Sequence, residues 1–179
     1  MKRAFCFLAA LTAFGSSLAE EQPDVRAVIQ KAVPYIEEKG VHWMEKRTCV
    51  SCHHTSFMVW SLNSAKQVGA EVSPEFKNWD QWATTWENLL RHDRREGKER
   101  EATIRRESDA VSQLIYGGAY ERNGQDPTEY GKLLIEAQLE DGSWKPGGQL
   151  PDQKRPKRET QEASTMWVLL SVLNSGIEK

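Results

Sequence analysis

The spacing of apolar residues is helical along almost the whole chain, and no stretch indicates a β-strand. Early in the chain, apolar residues recur three and four positions apart: Val25, Val28, Ile29, Val33 and Ile36. This is the spacing on the buried face of an amphipathic helix. No long stretch alternates Val, Ile or Thr with polar residues, as a half-buried strand would. We therefore predict an all-α protein, and a length of 179 residues indicates one domain.

Capping residues and Gly or Pro breaks divide this pattern into six predicted helices. Ser73, Pro74 and Glu75, for example, supply an N-cap, a proline at the first helical position and an early acidic residue. The helices are predicted at about residues 24–45, 56–68, 74–90, 108–120, 126–140 and 159–173. Residues 91–106 mix charges of both signs and are expected to be a solvated helix extension or linker. Residues 145–158 are expected to form a loop.

The first nineteen residues have the layout of a secretory signal peptide. Lys2 and Arg3 form a basic start, residues 4–14 are apolar, and Ser17-Leu18-Ala19 places small residues at a cleavage site. The apolar stretch is too short to span a bilayer. We expect cleavage after Ala19, with an uncleaved anchor as the alternative. Residues 20–179 would then form one exported helical domain, periplasmic or secreted, without a membrane span.

Cleavage would remove Cys6 and leave only two cysteines, both in one short motif. Residues 49–53 read Cys-Val-Ser-Cys-His, which matches the C-x-x-C-H pattern of c-type haem attachment. Two thiols one turn apart can both form thioethers with a porphyrin, and the adjacent imidazole then binds the iron. We therefore predict one haem c, attached through Cys49 and Cys52, with His53 as an iron ligand.

Three other interpretations of this motif remain open. Cys49 and Cys52 could bind zinc together with His53 or His54, although a second cluster of ligands is missing from the sequence. A thioredoxin-like redox pair would be expected in a βαβ context. A structural disulfide across so short a loop would constrain little.

A second axial ligand for the iron is not evident from the sequence. The candidates are His42, His54, His92, Met44, Met58 and Met166. We place His92 first, because it follows the tryptophan-rich third helix and can approach from a separate element. A surface role for His92 is an equal alternative, since its neighbours are charged. A five-coordinate iron would leave a position for a small ligand.

The first and last predicted helix pairs form a weak internal repeat. Residues 35–43 lead to residues 55–64 much as residues 134–144 lead to residues 164–171, each through a Gly-x-Trp turn or loop. Stacked helical hairpins are the usual meaning of such a repeat. Within the second copy, Gln138, Asp141, Gly142, Ser143 and Trp144 resemble the QW motif of the squalene–hopene cyclase and prenyltransferase α/α-toroid family.

This resemblance implies helical hairpins arranged in an incomplete α/α-toroid-like arc. In that family, Gln and Trp tie the end of one helix to the start of the next. The chain is too short for a closed ring, so the resemblance implies an open arc or a fragment. Asp80 and Asp109 are solitary acids, and the Asp-x-Asp-Asp cluster that cyclisation requires is absent from the sequence. The chain also resembles exported bacterial toroid-like proteins with a haem motif in the first repeat.

Tryptophan and basic residues offer two further hypotheses. Trp79, Trp82 and Trp86 share one face of the predicted third helix, and core packing is preferred over a haem-pocket wall or a lined cavity. Basic residues cluster in the predicted loop and its end: Lys145, Lys154, Arg155, Lys157 and Arg158. They form either a solvated loop or a docking patch for an acidic redox partner.

The function predicted from these features is electron transfer or redox sensing outside the cytoplasm, with a redox protein as partner. Cleavage of residues 1–19 would remove two basic residues and no acidic ones, which changes the formal net charge from −2 to −4. This mildly acidic charge argues against nucleic acid as a partner. The first alternative is a haem enzyme that acts on peroxide or another small oxidant. The second is a toroid-like binding module without haem, and cyclase activity is not expected.

Overall fold

A computed structural model describes residues 24–51, 53–147 and 156–177 and confirms the all-α class. This part of the chain contains eight α-helices, two short 3-10 helices and no strand. The α-helices are α1 (Val25–Arg47), α2 (Thr55–Gln67), α3 (Phe76–Thr84), α4 (Arg100–Arg106), α5 (Ser108–Tyr116), α6 (Ala119–Arg122), α7 (Pro127–Glu136) and α8 (Lys157–Asn174). The 3-10 helices cover Trp86–Leu89 and His92–Arg94. The predicted signal peptide lies outside the described residues.

The predicted third helix is shorter than expected, and its tryptophans do not share one helix. Helix α3 ends at Thr84, Thr85 is extended with ψ 116°, and Trp86 begins a 3-10 turn. The Thr84 hydroxyl donates to the carbonyl oxygen of Asp80, 3.2 Å away, a local bond that competes with regular helix. The core interpretation itself is confirmed, because Trp79, Trp82 and Trp86 all pack against the buried core.

The charged run is more structured than expected. Residues 100–106 form α4, and its Thr103 and Ile104 side chains are buried, so the expectation of a solvated segment was wrong there. The predicted fourth helix is interrupted, since α5 ends at Tyr116 and Gly118 adopts the left-handed conformation with φ 65° before α6. Two of the five residues assigned to the basic loop, Lys157 and Arg158, instead begin α8.

Helices α2, α5 and α8 form a row in which α5 lies in the middle. The Ser56 hydroxyl on α2 meets the Gln113 side chain on α5 at 2.5 Å. One turn further along both helices, the rings of Trp60 and Tyr116 are in contact. Between α5 and α8, the Ser164 hydroxyl donates to the Asp109 carboxylate, and further along both helices the ring of Trp167 contacts that of Tyr116. The three helices therefore run parallel.

Two further helices pack antiparallel to the ends of this row. Gly40 near the end of α1 lies against Met58 near the start of α2, and Arg26 at the other end approaches Gly69. Likewise, Gly131 early in α7 lies against Ser175, just beyond α8. These pairs agree with the hairpins of the internal repeat. The toroid-like curvature remains a prediction.

The core is formed where these helices meet. Its fully buried members come from all three helices of the row and from α4, α6 and α7. Burial of their apolar surface is the main contribution to stability. They include Val59 and Leu62 on α2, Val111 and Leu114 on α5, Leu134 on α7 and Val168 on α8. Among the described helices, none is long and apolar enough to cross a membrane.

Candidate functional site

The cysteine motif lies in the loop between α1 and α2, at one end of the helical row. Helix α1 ends at Arg47, and its C-cap residue Thr48 adopts the left-handed conformation with φ 55° and donates its N–H to the Met44 carbonyl oxygen at 3.1 Å. Val50 donates its N–H to the Asn88 carbonyl oxygen at 2.6 Å. The Ser51 carbonyl oxygen accepts the Ser56 hydroxyl at 2.9 Å. These bonds fix the loop to α1, α2 and the first 3-10 helix.

The segment after the first 3-10 helix holds the loop from a second direction. The Arg95 guanidinium donates to the carbonyl oxygens of Thr48 and Leu90, at 2.6 and 2.9 Å. The N–H of His92 donates to the Thr48 hydroxyl at 3.2 Å. The backbone of His92 is thus bonded to the loop, while the residue as a whole is exposed to solvent.

Cys49 is buried, with 6% of its surface exposed. The indole N–H of Trp43 donates to its carbonyl oxygen at 3.0 Å. Burial raises the pKa of the Cys49 thiol, against an opposing effect of hydrogen bonding by Trp43, and the charge of Glu107 raises it further. The thiol is therefore neutral rather than a reactive thiolate. Cys52 lies outside the described residues.

Two histidines and a tryptophan form an aromatic cluster beside the motif. The rings of Trp43 and His54 are stacked at 4.1 Å, and His53 meets Trp43 edge-on at 5.4 Å. Partial burial lowers the pKa of His53, and burial followed by the charge of His53 lowers the pKa of His54. Both imidazoles are therefore neutral at pH 7, the form that binds metals. The buried Nδ1 of His54 has no hydrogen-bond partner among the described residues.

A cleft of about 340 Å³ opens beside this cluster. Its lining residues are Tyr35, Lys39, His42, Trp43, His53 and His54. The first three are four and three residues apart on α1 and therefore share one helix face. The Lys39 ammonium lies 2.5 Å from the Glu38 carboxylate and 5.4 Å from the ring centre of Tyr35. The cleft thus combines imidazoles, aromatic rings and a positive charge.

The structure separates the predicted second-ligand candidates. His42 and His54 line the same cleft as His53, whereas His92 is not among the described lining residues. Met58 is 2% exposed and packed into the core. Met44 also packs against the core, and Met166 lies 63% exposed on α8. No observation tests the ranking of His92 directly, so it stays a prediction from the sequence.

The QW-like segment links α7 to α8 through Trp144. The indole N–H of Trp144 donates to the Leu134 carbonyl oxygen on α7 at 2.6 Å. The backbone N–H of Trp144 donates to the Thr165 hydroxyl on α8 at 3.1 Å. The Gln138 side chain closes the turn by donating to the Gly142 carbonyl oxygen at 2.9 Å. Trp43, which occupies the same place in the first repeat, bonds to the cysteine loop instead.

The burial of two acidic side chains near the motif, Glu107 and Asp109, was not predicted from the sequence. Burial raises the pKa of Glu107 to about 7, and the charge of Arg106 opposes this effect. Burial likewise raises the pKa of Asp109 to about 6, against hydrogen bonds from Ser164 and the Gly147 N–H. Glu107 was hidden within a run of charges, and no local pattern marks it as buried. Asp80, by contrast, forms an ion pair with Arg122 at 2.9 Å.

Partly exposed aromatic rings cover one side of the helical row. Trp60 on α2 meets Tyr116 on α5 at 5.0 Å and Trp167 on α8 at 5.5 Å. Phe57 completes the group with a ring contact to Trp167 at 5.7 Å. An apolar groove of about 540 Å³ between α1 and α2 continues from Phe57 and Trp60. The sequence did not single out these four residues as a group.

Comparisons with known proteins add no information about the site, so its interpretation depends on its own residues. No family model, no curated protein and no solved structure matches the chain. Within the described ranges, which omit Cys52, no three His, Cys, Asp or Glu side chains meet as a metal-binding group.

Proposed function

We propose that the protein carries one c-type haem, attached through Cys49 and Cys52, and transfers single electrons outside the cytoplasm. This proposal rests on the position of the cysteine motif beside a cleft. The neutral imidazoles of His53 and His54 line this cleft, and so does His42 on α1. His53 would bind the iron. His53 lies between the start of α2 and the loop that hydrogen bonds fix, and this position would limit its movement as a ligand.

The residues around the motif fit a haem. The unpartnered Nδ1 of His54 indicates that the cluster is incomplete as it stands, because buried polar atoms normally have a partner. Trp43 and Tyr35 supply aromatic surface for a flat macrocycle. Lys39 supplies a positive charge for haem carboxylates. A buried, neutral Cys49 suits a thioether sulfur, which carries no charge.

A bound haem would supply iron that alternates between ferrous and ferric states. The protein would contribute the ligand imidazole, the fixed loop and the low polarity behind Cys49. Buried Glu107 lies close enough to Cys49 to affect its thiol electrostatically. Above its pKa of about 7, its carboxylate would stabilise the more positive, oxidised state. Redox sensing would use the same groups.

Export and a protein partner are parts of the same proposal. The signal layout of residues 1–19 supports attachment of the haem outside the cytoplasm. Lys145 is exposed, and Lys157 and Arg158 are exposed at the start of α8. Their charges would steer an acidic partner towards this side of the protein. Lys154 and Arg155 lie outside the described residues.

The test of attachment is a haem-stained denaturing gel of protein expressed with periplasmic haem-attachment machinery. We expect a stained band that survives denaturation. Changing Cys49 and Cys52 together to Ala should abolish the stain, while Cys6→Ser serves as a matched control and should keep it. A colourless wild-type protein would overturn the proposal.

A binding module without haem is the second candidate, favoured by the apolar groove beside Phe57 and Trp60. The groove is large enough for a small apolar molecule. In that case the unstained protein should bind an apolar fluorescent probe, and Trp60→Ala should weaken binding more than Trp79→Ala.

A further inference from the structure

The geometry points to His42 as the second axial ligand of the iron, an assignment that rests on the haem proposed above. His42 lies on α1, whereas His53 lies in the loop before α2, so the two reach the cleft from separate elements. Paired axial ligands require this, because ligands from adjacent positions cannot reach both sides of a macrocycle. The assignment replaces His92, which the sequence alone placed first.

The other histidines in the cleft and the loop are less suitable. His54 directly follows His53, and its ring is stacked on Trp43 at 4.1 Å. His92 is tied to Thr48 by its backbone and is not among the described residues that line the cleft. His42 is exposed and lines the cleft, so its imidazole can contact a bound group without any change in core packing.

The methionines do not compete with His42. Met58 is 2% exposed, and an added Cβ on Gly40 of the adjoining helix would lie 2.1 Å from its sulfur. Met44 packs against the core. Met166 lies on α8, whereas the described walls of the cleft come from α1 and residues 53–54.

The rest of the cleft supports the same assignment. Lys39 lies one turn before His42 on α1, and Tyr35 lies one turn before Lys39. A flat group bound by His42 would therefore extend along a face that offers an aromatic ring and an ammonium group. No other described histidine stands on a helix face of this kind within the cleft.

The experiment uses the haem-loaded protein and reads the spin state of its iron by absorption and electron paramagnetic resonance spectroscopy. Wild-type protein should be low-spin and should not bind carbon monoxide readily when reduced. His42→Ala should become high-spin when oxidised and bind carbon monoxide when reduced. Added imidazole should restore the low-spin spectrum. His92→Ala is the matched control and should remain low-spin.

A second variant keeps the test decisive if His42→Ala folds poorly. His42→Met should stay low-spin with a higher reduction potential, since a methionine ligand favours the ferrous state. A low-spin His42→Ala protein, or a high-spin wild-type protein, would overturn the assignment while leaving the haem in place. An unstained wild-type protein would instead overturn the haem itself.

Discussion

The indole N–H of Trp43 donates a hydrogen bond to the carbonyl oxygen of Cys49 across 3.0 Å. This bond connects α1 to the loop that carries the cysteine motif. The same indole stacks on His54 and meets His53 edge-on. One side chain therefore orients the thiol-bearing loop and both adjacent imidazoles, and its removal should affect the whole motif.

Trp43→Phe should keep much of the ring packing but lose the hydrogen bond. We expect the free energy of unfolding to fall by about 1 kcal/mol, the usual net value of one such bond. Urea denaturation measures this loss. Trp79→Phe, which changes another partly buried tryptophan of the core, is the control for loss of ring area. Equal destabilisation by both changes would argue against a specific role for the Trp43 bond.

Trp144→Phe should destabilise the protein through a different bond. Trp144 is 5% exposed, and its indole satisfies the Leu134 carbonyl oxygen on α7. Loss of a buried partner costs about 1–3 kcal/mol. Thermal unfolding should show a lower midpoint for this variant than for Gln138→Ala, whose bond to Gly142 is exposed. The opposite order would show that the glutamine dominates the turn.

The sequence singled out Trp144 because all residues of the QW-like pattern lie within one short segment, and its indole bonds to α7. The role of Trp43 was not predictable in this way. Its bond to Cys49 depends on how the chain leaves α1, where the C-cap residue Thr48 adopts an unusual left-handed conformation. Sequence spacing shows which residues are near one another along the chain, but not which carbonyl an indole will reach.

The other differences between prediction and structure arise from packing between elements that are distant in the sequence. Ile104 lies in the charged run and Glu107 directly follows it, yet both are buried because other elements pack over α4 and the start of α5. The interruption at Thr85 also depends on its surroundings, since Asn88 bonds back to the Trp82 carbonyl oxygen at 2.8 Å. By contrast, the extents of α1 and α2 follow local apolar spacing and were predicted to within about two residues.

Gly40→Ala should destabilise the contact between α1 and α2. An added Cβ would lie 2.1 Å from the sulfur of Met58 and 2.8 Å from its Cβ, so the helices would have to separate. Overpacking of this kind costs about 1–3 kcal/mol. Urea denaturation should therefore show a clear loss, which Met58→Ala in the same chain should reduce. An unchanged midpoint for Gly40→Ala would contradict this close approach.

Glu107 makes stability depend on pH in a specific direction. Gly147 packs closely against the backbone on both sides of Glu107. An added Cβ on Gly147 would lie 2.8 Å from the carbonyl oxygen of Arg106 and 2.9 Å from the nitrogen of Ser108. The pKa of Glu107 is about 7 in the folded protein against an ordinary value of 4.5. Between these two pH values the folded state binds more protons than the unfolded chain. The free energy of unfolding should therefore fall as pH rises through this range.

Glu107→Gln should remove most of this fall between pH 6 and pH 7. Asp109, with a pKa of about 6, contributes in the same direction but mainly below that window. For the wild-type protein, about 1.4 kcal/mol per pH unit gives a total loss of roughly 3 kcal/mol from Glu107. Urea denaturation at several pH values measures the slope. Glu101→Gln, an exposed glutamate on α4, is the control and should keep the wild-type slope. Parallel curves for wild type and Glu107→Gln would show that Glu107 ionises freely, because the lowered pKa values of His53 and His54 affect the stability of both proteins alike.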